Sequence, residues 1–273
     1  TGIMLDGGSG NRISGNYIGL NYIGSATVAN TGSGILIQNG ATNNIVGTNL
    51  DSSGDATEGN VIAGNQNSGV QLWGAGTGNA IRGNIIGGNS TATSALGNGT
   101  QGIQVGSGTT NTTIGGTSLL AANTIIGSTY AGIELTSAGT TNNTILGNYI
   151  GTNSLSAGGL GNGAGVYISN GAANNSVGGT AVGSRNIISG NTDAGVHITG
   201  EASDGNAVYG NYIGTNVAGN AALGNGWNGV NVEQGADNTL IGGSTANHRN
   251  VISGNADIGI WVTDAATTGT IIR

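Results

Sequence analysis

The feature that most constrains this chain is a glycine followed by an apolar, any, apolar triplet, which recurs nine times. The nine glycines are Gly2, Gly34, Gly69, Gly102, Gly132, Gly165, Gly195, Gly229 and Gly259. Successive copies lie 30 to 35 residues apart, and no stretch between two glycines is longer than ten residues. Glycine inside a helix costs roughly 1 kcal/mol relative to alanine, so helices of ordinary length are not expected.

Two further apolar segments follow each glycine motif. The second segment is centred at Ile13, Ile45, Ile81, Ile114, Ile145, Val177, Val208, Ile241 and Ile271. The third has an Asn, any, Ile pattern that begins at Asn16, Asn60, Asn84, Asn148, Asn186, Asn211 and Asn250, with Thr124/Ile126 as one departure. Three short strands separated by Gly and Asn turns are typical of one coil of a solenoid. The sequence therefore predicts about nine stacked rungs of ~32 residues, without substantial helix.

A rung of this kind is stable only when it lies between neighbours. It buries about six aliphatic side chains at ~1.5 to 3 kcal/mol each, much less than the entropy cost of ordering its residues at ~1 to 2 kcal/mol apiece. Stacking also pairs every interior strand on both sides, which accounts for the absence of proline. Asparagines at equivalent positions are expected to form ladders of amide hydrogen bonds.

The inserted loops alternate between two places, so the complete repeat is two rungs. In one set of rungs the extra residues follow the third strand, as in 214–226. In the other set they separate the second strand from the third, as in 242–249. The loops are thus expected over two edges of the solenoid, where binding surfaces are usually built.

Several repeat segments resemble a known family. The segments NIISGN (186–191), GNYIGT (210–215), ALGN (222–225), GADNTLIGG (235–243) and NVISGN (250–255) are similar to the right-handed parallel β-helix repeats of large secreted bacterial surface proteins. The resemblance implies an all-β, right-handed parallel β-helix that fills residues 1–273 as a single domain within a longer repetitive chain or a stacked assembly. It implies an extracellular or cell-surface location. The implied partners are flanking repeats, other copies stacked end to end, and cell-surface glycans.

Charge and composition exclude other classes. Twelve acidic residues against five arginines give a net charge of -7, which argues against nucleic acid as a partner. No apolar stretch approaches the ~18 residues needed to cross a bilayer, so membrane insertion is not expected. There is no cysteine for disulfide or thiolate chemistry.

Residues that break the repeat are the candidates for chemistry. The outward column of the first strands reads Met4, Leu36, Gln71, Gln104, Glu134, Tyr167, His197, Asn231 and Trp261. Glu134, Tyr167 and His197, with Glu233 one diagonal step from the histidine at ~8 Å, are the candidate catalytic residues for acid and base chemistry on a sugar chain. Trp73 and Trp261 are candidate sugar-stacking residues. The alternative interpretation is an exposed strand face without activity.

One loop contains three acidic residues that suggest a cation. Asp51, Asp55 and Glu58 supply the oxygen ligands that Ca²⁺ prefers, although their spacing matches no EF-hand loop. The alternative is a solvated acidic loop. No other cofactor is expected.

Two functions follow from these features. The first is a non-enzymatic structural protein, such as a surface spacer, an adhesin segment or a filament subunit. The alternative is a carbohydrate-active enzyme, since the same fold is found in polysaccharide lyases, polygalacturonase-like hydrolases and alginate epimerases. Against the enzyme, the column from Glu134 to Trp261 has no Lys or Arg to neutralise an acidic substrate.

Overall fold

The protein folds as a stack of turns, each built from three short parallel strands. The computed structural model describes all of residues 1–273. Its 26 strands form three parallel sheets of nine, nine and eight strands, and each turn contributes one strand to each sheet. There are eight complete turns and a ninth that lacks the third strand, as the repeat predicts. We refer to these turns as rungs one to nine.

The strand boundaries follow the three-part repeat. The first sheet consists of β1 (Ile3–Asp6), β4 (Ile35–Gln38), β7 (Val70–Trp73), β10 (Gln101–Gly106), β13 (Ala131–Thr136), β16 (Ala164–Ser169), β19 (Val196–Thr199), β22 (Val230–Glu233) and β25 (Ile260–Val262). The second sheet consists of β2 (Arg12–Ile13), β5 (Ile45–Gly47), β8 (Ala80–Arg82), β11 (Thr113–Gly115), β14 (Thr144–Leu146), β17 (Ser176–Gly178), β20 (Ala207–Tyr209), β23 (Leu240–Ile241) and β26 (Ile271–Ile272). The third sheet consists of β3 (Tyr17–Ile18), β6 (Val61–Ile62), β9 (Ile85–Ile86), β12 (Thr124–Ile125), β15 (Tyr149–Ile150), β18 (Ile187–Ile188), β21 (Tyr212–Ile213) and β24 (Val251–Ile252).

Aliphatic side chains from all three sheets fill the interior. They form one cluster of 33 buried residues that follows the axis of the stack. Equivalent residues lie directly above one another, as in the pairing of Ile103 with Ile133 and of Ile133 with Val166. Each rung therefore closes the apolar cross-section of the next, which is why the repeat is stable only as a stack.

The register corrects three details of the sequence analysis. In rung four, Ile125 pairs with Ile86 and Ile150, so the third strand follows Asn123 and Thr124/Ile126 was wrong by one residue. The inward residue of β5 is Val46, which is fully buried, and not Ile45. In β26 the residue that pairs with Ile241 is Ile272 and not Ile271. All three errors come from Ile-Ile or Ile-Val dipeptides, in which neighbouring aliphatic residues leave the alternation ambiguous.

Asparagine ladders occupy all three corners of the solenoid. Ladder 1, between the second and third sheets, runs without interruption through Asn16, Asn60, Asn84, Asn123, Asn148, Asn186, Asn211 and Asn250. Ladder 2, between the third and first sheets, contains Asn30, Asn65, Asn98, Asn162, Asn191, Asn225 and Asn255, with Ser128 in its fourth position. Ladder 3, between the first and second sheets, contains Asn11, Asn44, Asn79, Asn143, Asn175 and Asn206, with Thr112 and Thr239 in the fourth and eighth positions.

Within a ladder, one amide oxygen accepts hydrogen bonds from two donors of the preceding rung. The Asn186 Oδ1 atom accepts from the Asn148 backbone N–H at 2.9 Å and from the Asn148 Nδ2 at 3.1 Å. The Nδ2 group of Asn148 also donates to a backbone carbonyl of the preceding rung, Ile114 O, at 3.0 Å. The ladders thereby satisfy backbone groups at the corners, where the strands end and no sheet partner is available.

The glycine that opens each rung is required by close backbone approach. A Cβ atom on Gly165 would lie 2.4 Å from the carbonyl oxygen of Gly195 and 2.6 Å from the Cγ2 atom of Ile188. Any larger residue there would push two rungs apart. The nine-fold motif of the sequence thus reflects packing between rungs and not a turn conformation.

The inserted loops alternate between two corners, as predicted. Loops of odd-numbered rungs lie between the third and first sheets and contact one another every second rung: Ser90 N donates to Gly24 O, Asn153 Nδ2 to Ala92 O, and Val217 N to Ser156 Oγ, each at 2.9 Å. Loops of even-numbered rungs hold the three short 3₁₀ turns, Asp55–Thr57, Leu119–Ala121 and Ala246–His248. None of the helical segments has the length and apolar character to cross a bilayer.

Candidate functional site

A strip of polar and aromatic side chains follows the outer face of the first sheet. The register stacks Gln71, Gln104, Glu134, Tyr167, His197, Asn231 and Trp261 in one column, as the sequence predicted. The outer face of a sheet makes no contribution to the apolar core, so these positions are free to depart from the repeat. The strip is the part of the solenoid surface where the departures concentrate.

The first half of the strip is a hydrogen-bonded amide network in rungs two to five. Gln71 Nε2 donates to Gln104 Oε1 at 2.7 Å. Gln104 Nε2 and Gln101 Nε2 both donate to Glu134 Oε2, at 2.8 and 2.7 Å. Ser68 Oγ completes the network by donating to Gln101 Oε1 at 3.0 Å. Ser33 Oγ donates to Gln71 Oε1 at 3.0 Å, so donors from three rungs lead towards one carboxylate.

Glu134 is the buried end of this network. Only 6% of the residue is exposed. Burial raises the pKa of the Glu134 carboxyl, while the hydrogen bonds from Gln104 and Gln101 partly oppose that shift. The carboxyl thus holds its proton to a higher pH than an exposed glutamate does.

The second half of the strip is an aromatic file in rungs five to nine. It consists of Tyr130, Tyr167, His197, Trp227 and Trp261, whose ring centroids are 5.3, 5.1, 6.0 and 5.6 Å apart in that order. Each neighbouring pair meets edge to face, with interplanar angles from 66° to 88°. Such pairs contribute ~0.5 to 1.5 kcal/mol beyond their buried area. The file contributes one ring per rung, with 5.1 to 6.0 Å between successive centroids.

Tyr130 begins the file at the rung where the amide network ends. Burial raises the pKa of the Tyr130 phenol well above its ordinary value, and the neighbouring Tyr167, Glu134 and Asp193 act in the same direction. The phenol consequently remains a neutral hydroxyl donor over the whole physiological pH range. Its side chain stays accessible, since 46% of the residue is exposed.

His197, in the middle of the file, is held by two polar neighbours. Its Nε2 atom lies 3.0 Å from Glu233 Oε1 and 3.1 Å from Asn231 Nδ2. Nε2 forms a hydrogen bond with only one of them at a time. It donates to Glu233 when it carries the proton and accepts from Asn231 when it does not. The diagonal step predicted from the sequence is correct, because Thr199 is the register partner of Glu233, and the side chains close the ~8 Å gap to a direct contact.

Two members of the file were missed from the sequence, and one candidate lies elsewhere. Tyr130 and Trp227 precede the rung-opening glycine by two residues, at a corner where strand alternation does not predict side-chain direction. Trp73 lies in the neighbouring outward column of rung three, far from Trp261. Its ring lies over Gly106, where a Cβ atom would come within 2.6 Å of it.

The acidic loop brings Asp51, Asp55 and Glu58 together, with one carboxylate oxygen of each within 4.8 Å of the others. Every carboxylate oxygen already has a protein partner. Glu58 pairs with the Arg12 guanidinium at 2.9 Å and accepts from the Asn49 N–H, and the two aspartates accept from Thr48, Asn49, Ser52 and Ser53. The hydrogen bond from Asn49 lowers the pKa of Asp51. The loop is thus organised by its own hydrogen bonds, and calcium there stays a prediction.

The geometry restricts the chemistry that the strip can perform. Glu134 and Glu233 lie three rungs apart, or ~14 Å. Glycoside hydrolysis by paired carboxylates needs a separation of about 5 to 10 Å, so these two residues cannot act as such a pair. The five arginines, Arg12, Arg82, Arg185, Arg249 and Arg273, lie on the second sheet or at its corner with the third. The strip therefore has no lysine or arginine.

The fold and the strip define a class of protein: a three-sheet parallel β-helix with an aromatic and polar strip on its outer surface. Residues 46–213 match the family described as "Right handed beta helix region", and the chain belongs to this family. A solved structure of a mutant of the periplasmic alginate epimerase AlgG is similar, with 17% sequence identity and a TM-score of 0.46. The match covers 84% of this chain and 50% of that one, and it concerns the fold alone. The search of curated proteins gives no match.

Proposed function

We propose that this chain is an extracellular structural solenoid whose first sheet holds a glycan chain. The aromatic file carries this proposal, because it offers one ring per rung over five successive rungs at a spacing close to the length of one sugar unit in an extended polysaccharide. Aromatic rings with polar edges suit sugars, which combine apolar C–H faces with hydroxyl groups. The amide network extends the same surface with hydrogen-bonding groups.

The rigid background of the strip supports a binding role. Three corner ladders and a continuous core fix the positions of the rings, so little conformational entropy is lost when a ligand binds. Surface attachment through such a strip agrees with the expected role as a spacer or adhesin segment.

Binding to immobilised and soluble polysaccharides tests the proposal. Trp227→Ala removes the ring between His197 and Trp261 and is expected to weaken binding by at least about tenfold, as for a central aromatic contact. Trp73→Ala is the matched control, because it removes an exposed indole outside the file. An unchanged affinity in Trp227→Ala, or an equal loss in both variants, would contradict the assignment to the file.

A catalytic role is the second candidate, favoured by the contact between His197 and Glu233. A carboxylate beside an imidazole can orient it and hold its proton, which is one arrangement for general base chemistry. Tyr167 stacks against the same ring at 5.1 Å between centroids. Incubation with neutral and acidic polysaccharides, followed by the His197→Ala variant on any substrate that is degraded or epimerised, tests this role. A rate unaffected by the substitution would remove the proposed base.

We also propose that the ends of the stack pair with further rungs, either flanking repeats of the same chain or a second copy. The last rung leaves Ile258, Val262 and Ile272 between 36% and 55% exposed, whereas their counterparts inside the stack are buried. A further rung would cover them and pair the free strand edges. Electron microscopy of the native material should show elongated particles, and compact monomers would contradict stacking between copies.

A further inference from the structure

Three buried polar atoms without hydrogen-bond partners lie in rungs seven and eight: the Asn231 Oδ1 acceptor, the Thr199 hydroxyl and the Asn228 Nδ2 donor. Asn231 is fully buried, and its Oδ1 atom has no hydrogen-bond partner. Thr199, 5% exposed, pairs in register with Glu233, and its Oγ1 atom is also without a partner. Leaving a buried polar atom unpaired costs ~1 to 3 kcal/mol. Asn231 Oδ1 is the one of these atoms that can only accept, and the Nδ2 atom of the same amide lies 3.1 Å from His197 Nε2.

Glu233 adds a negative charge to this cluster. Its Oε1 atom faces His197 Nε2, and its Oε2 atom accepts no hydrogen bond from the protein. The side chains of Glu233 and His197 remain 17% and 12% exposed, so the free carboxylate oxygen is reachable from solvent. Asn231 and Thr199 lie behind it. In either tautomer of His197, Glu233 Oε2 and Asn231 Oδ1 are acceptors without a donor.

Apart from His197, which pairs with Glu233 Oε1, the protein has no basic side chain on this face. The chain contains no lysine, and its five arginines lie on the second sheet or at its corner with the third. Glu134 at the head of the file and Asp193 beside Tyr130 make the same face more acidic. A positively charged partner for Glu233 Oε2 therefore has to come from a ligand.

We propose that rungs seven to nine bind a polysaccharide whose sugars carry free, protonated amino groups. This inference rests on the proposed glycan binding and names the class of glycan. A primary ammonium has three N–H donors and no acceptor, which suits the free Oε2 atom of the Glu233 carboxylate. The indole faces of Trp227 and Trp261 beside it attract a cation as well as the sugar ring. Uronic acid polymers are disfavoured by repulsion from Glu134, Glu233 and Asp193.

The discriminating experiment compares three oligosaccharides of similar length by calorimetric titration at pH 6. Glucosamine oligomers are cationic, N-acetylglucosamine oligomers have the same backbone without the charge, and galacturonate oligomers are anionic. We expect the glucosamine oligomer to bind about tenfold more tightly than the N-acetylated one, as for a single well-formed ion pair. The galacturonate oligomer should bind most weakly of the three. Raising the salt concentration should reduce the difference between the first two.

The Glu233→Gln variant locates the preference. It keeps the size of the side chain and removes its charge, so it should lower affinity for the glucosamine oligomer about tenfold while N-acetylglucosamine binding changes less than twofold. Trp227→Ala should weaken both. Equal affinity for the charged and neutral oligomers, or tighter binding of galacturonate, would overturn the inference and leave glycan binding standing. If none of the three binds, both proposals fail.

Discussion

The interruption of ladder 3 at Thr112 allows a stabilising substitution to be predicted from the structure. Thr112 is fully buried, and its Oγ1 atom has no partner. On either side of it the ladder is intact: Asn44 donates twice to Asn79 Oδ1, and Asn143 donates twice to Asn175 Oδ1. At the break, the Asn79 N–H faces a side chain that offers it no amide oxygen, and Asn79 Nδ2 donates instead to Ala41 O and Gly76 O. We predict that Thr112→Asn restores the ladder.

The expected gain is about 2 kcal/mol in the free energy of unfolding. The new Oδ1 atom would accept a hydrogen bond from the Asn79 N–H, contributing ~1 kcal/mol net. Its bond from Asn79 Nδ2 would replace the existing bond to Gly76 O and adds little. The substitution also removes a buried hydroxyl without a partner, which costs ~1 to 3 kcal/mol. Ordering the longer side chain offsets up to ~1 kcal/mol of this gain. Space is available, because the same corner holds asparagine in the rungs immediately above and below.

Urea denaturation and amide hydrogen exchange together measure the effect. Solenoids can open rung by rung, so the midpoint of global unfolding is complemented by the protection of rungs three to five. Thr110→Asn is the matched control, since it makes the same substitution in the same rung outside the ladder and should change stability by less than about 0.5 kcal/mol. A midpoint for Thr112→Asn at or below that of the parent, or an equal gain in the control, would refute the ladder argument.

Three further substitutions test other parts of the fold. Gly165→Ala should destabilise the protein by several kcal/mol, about the cost of overpacking a tight backbone contact, because its Cβ would lie 2.4 Å from a carbonyl oxygen. Thermal melts measure the effect. Gly158→Ala is the control and should be tolerated, since the nearest neighbour of its Cβ would lie at 3.7 Å. Burial raises the pKa of Glu134 in the folded state, so its favourable contribution to the free energy of unfolding is complete below pH 4.5 and is lost as pH rises through that raised pKa. In urea titrations, Glu134→Gln should therefore be more stable than the parent at pH 7.5 but not at pH 4. Val196→Pro removes the 2.9 Å hydrogen bond from Val196 N to the next rung and should cost ~3 kcal/mol or more. Hydrogen-exchange protection should be lost in rungs six to eight. Loss confined to the substituted rung would contradict coupling between rungs.

The repeat made most of the fold predictable from the sequence. The glycine motif has a steric cause that acts once per rung, as Gly165 shows, so its spacing directly measures the length of a turn. The alternation of the loops was equally visible, because insertions must interrupt the pattern. Where the sequence failed, at Asn123 and Val46, two adjacent aliphatic residues competed for one inward position, and only the pairing of neighbouring rungs decides between them.

The candidate site was predictable only in part. Strand alternation identified the column from Gln71 to Trp261, because a period of two assigns every second residue to the outer face. Tyr130 and Trp227 lie just before the strands, and their direction depends on how each corner turns. The contact between His197 and Glu233 required side-chain conformations as well as register, and the network of Gln101 with Glu134 required knowing that a corner residue reaches outward. Those contacts, and not the column itself, distinguish a binding strip from an ordinary strand face.

The distribution of unpaired polar atoms separates structural defects from the candidate site. Seven buried side-chain atoms have no partner. Four of them, on Thr112, Ser128, Thr239 and Thr270, occupy positions of the corner ladders and are explained by a missing amide. The remaining three, on Thr199, Asn228 and Asn231, belong to the first-sheet strands of rungs seven and eight or the residues just before them, beside His197 and Glu233. Substitution by asparagine should repair the first group, whereas a glycan bound at Glu233 should order rungs seven and eight. On addition of the glycan, exchange protection should rise in these two rungs and stay constant at Thr112.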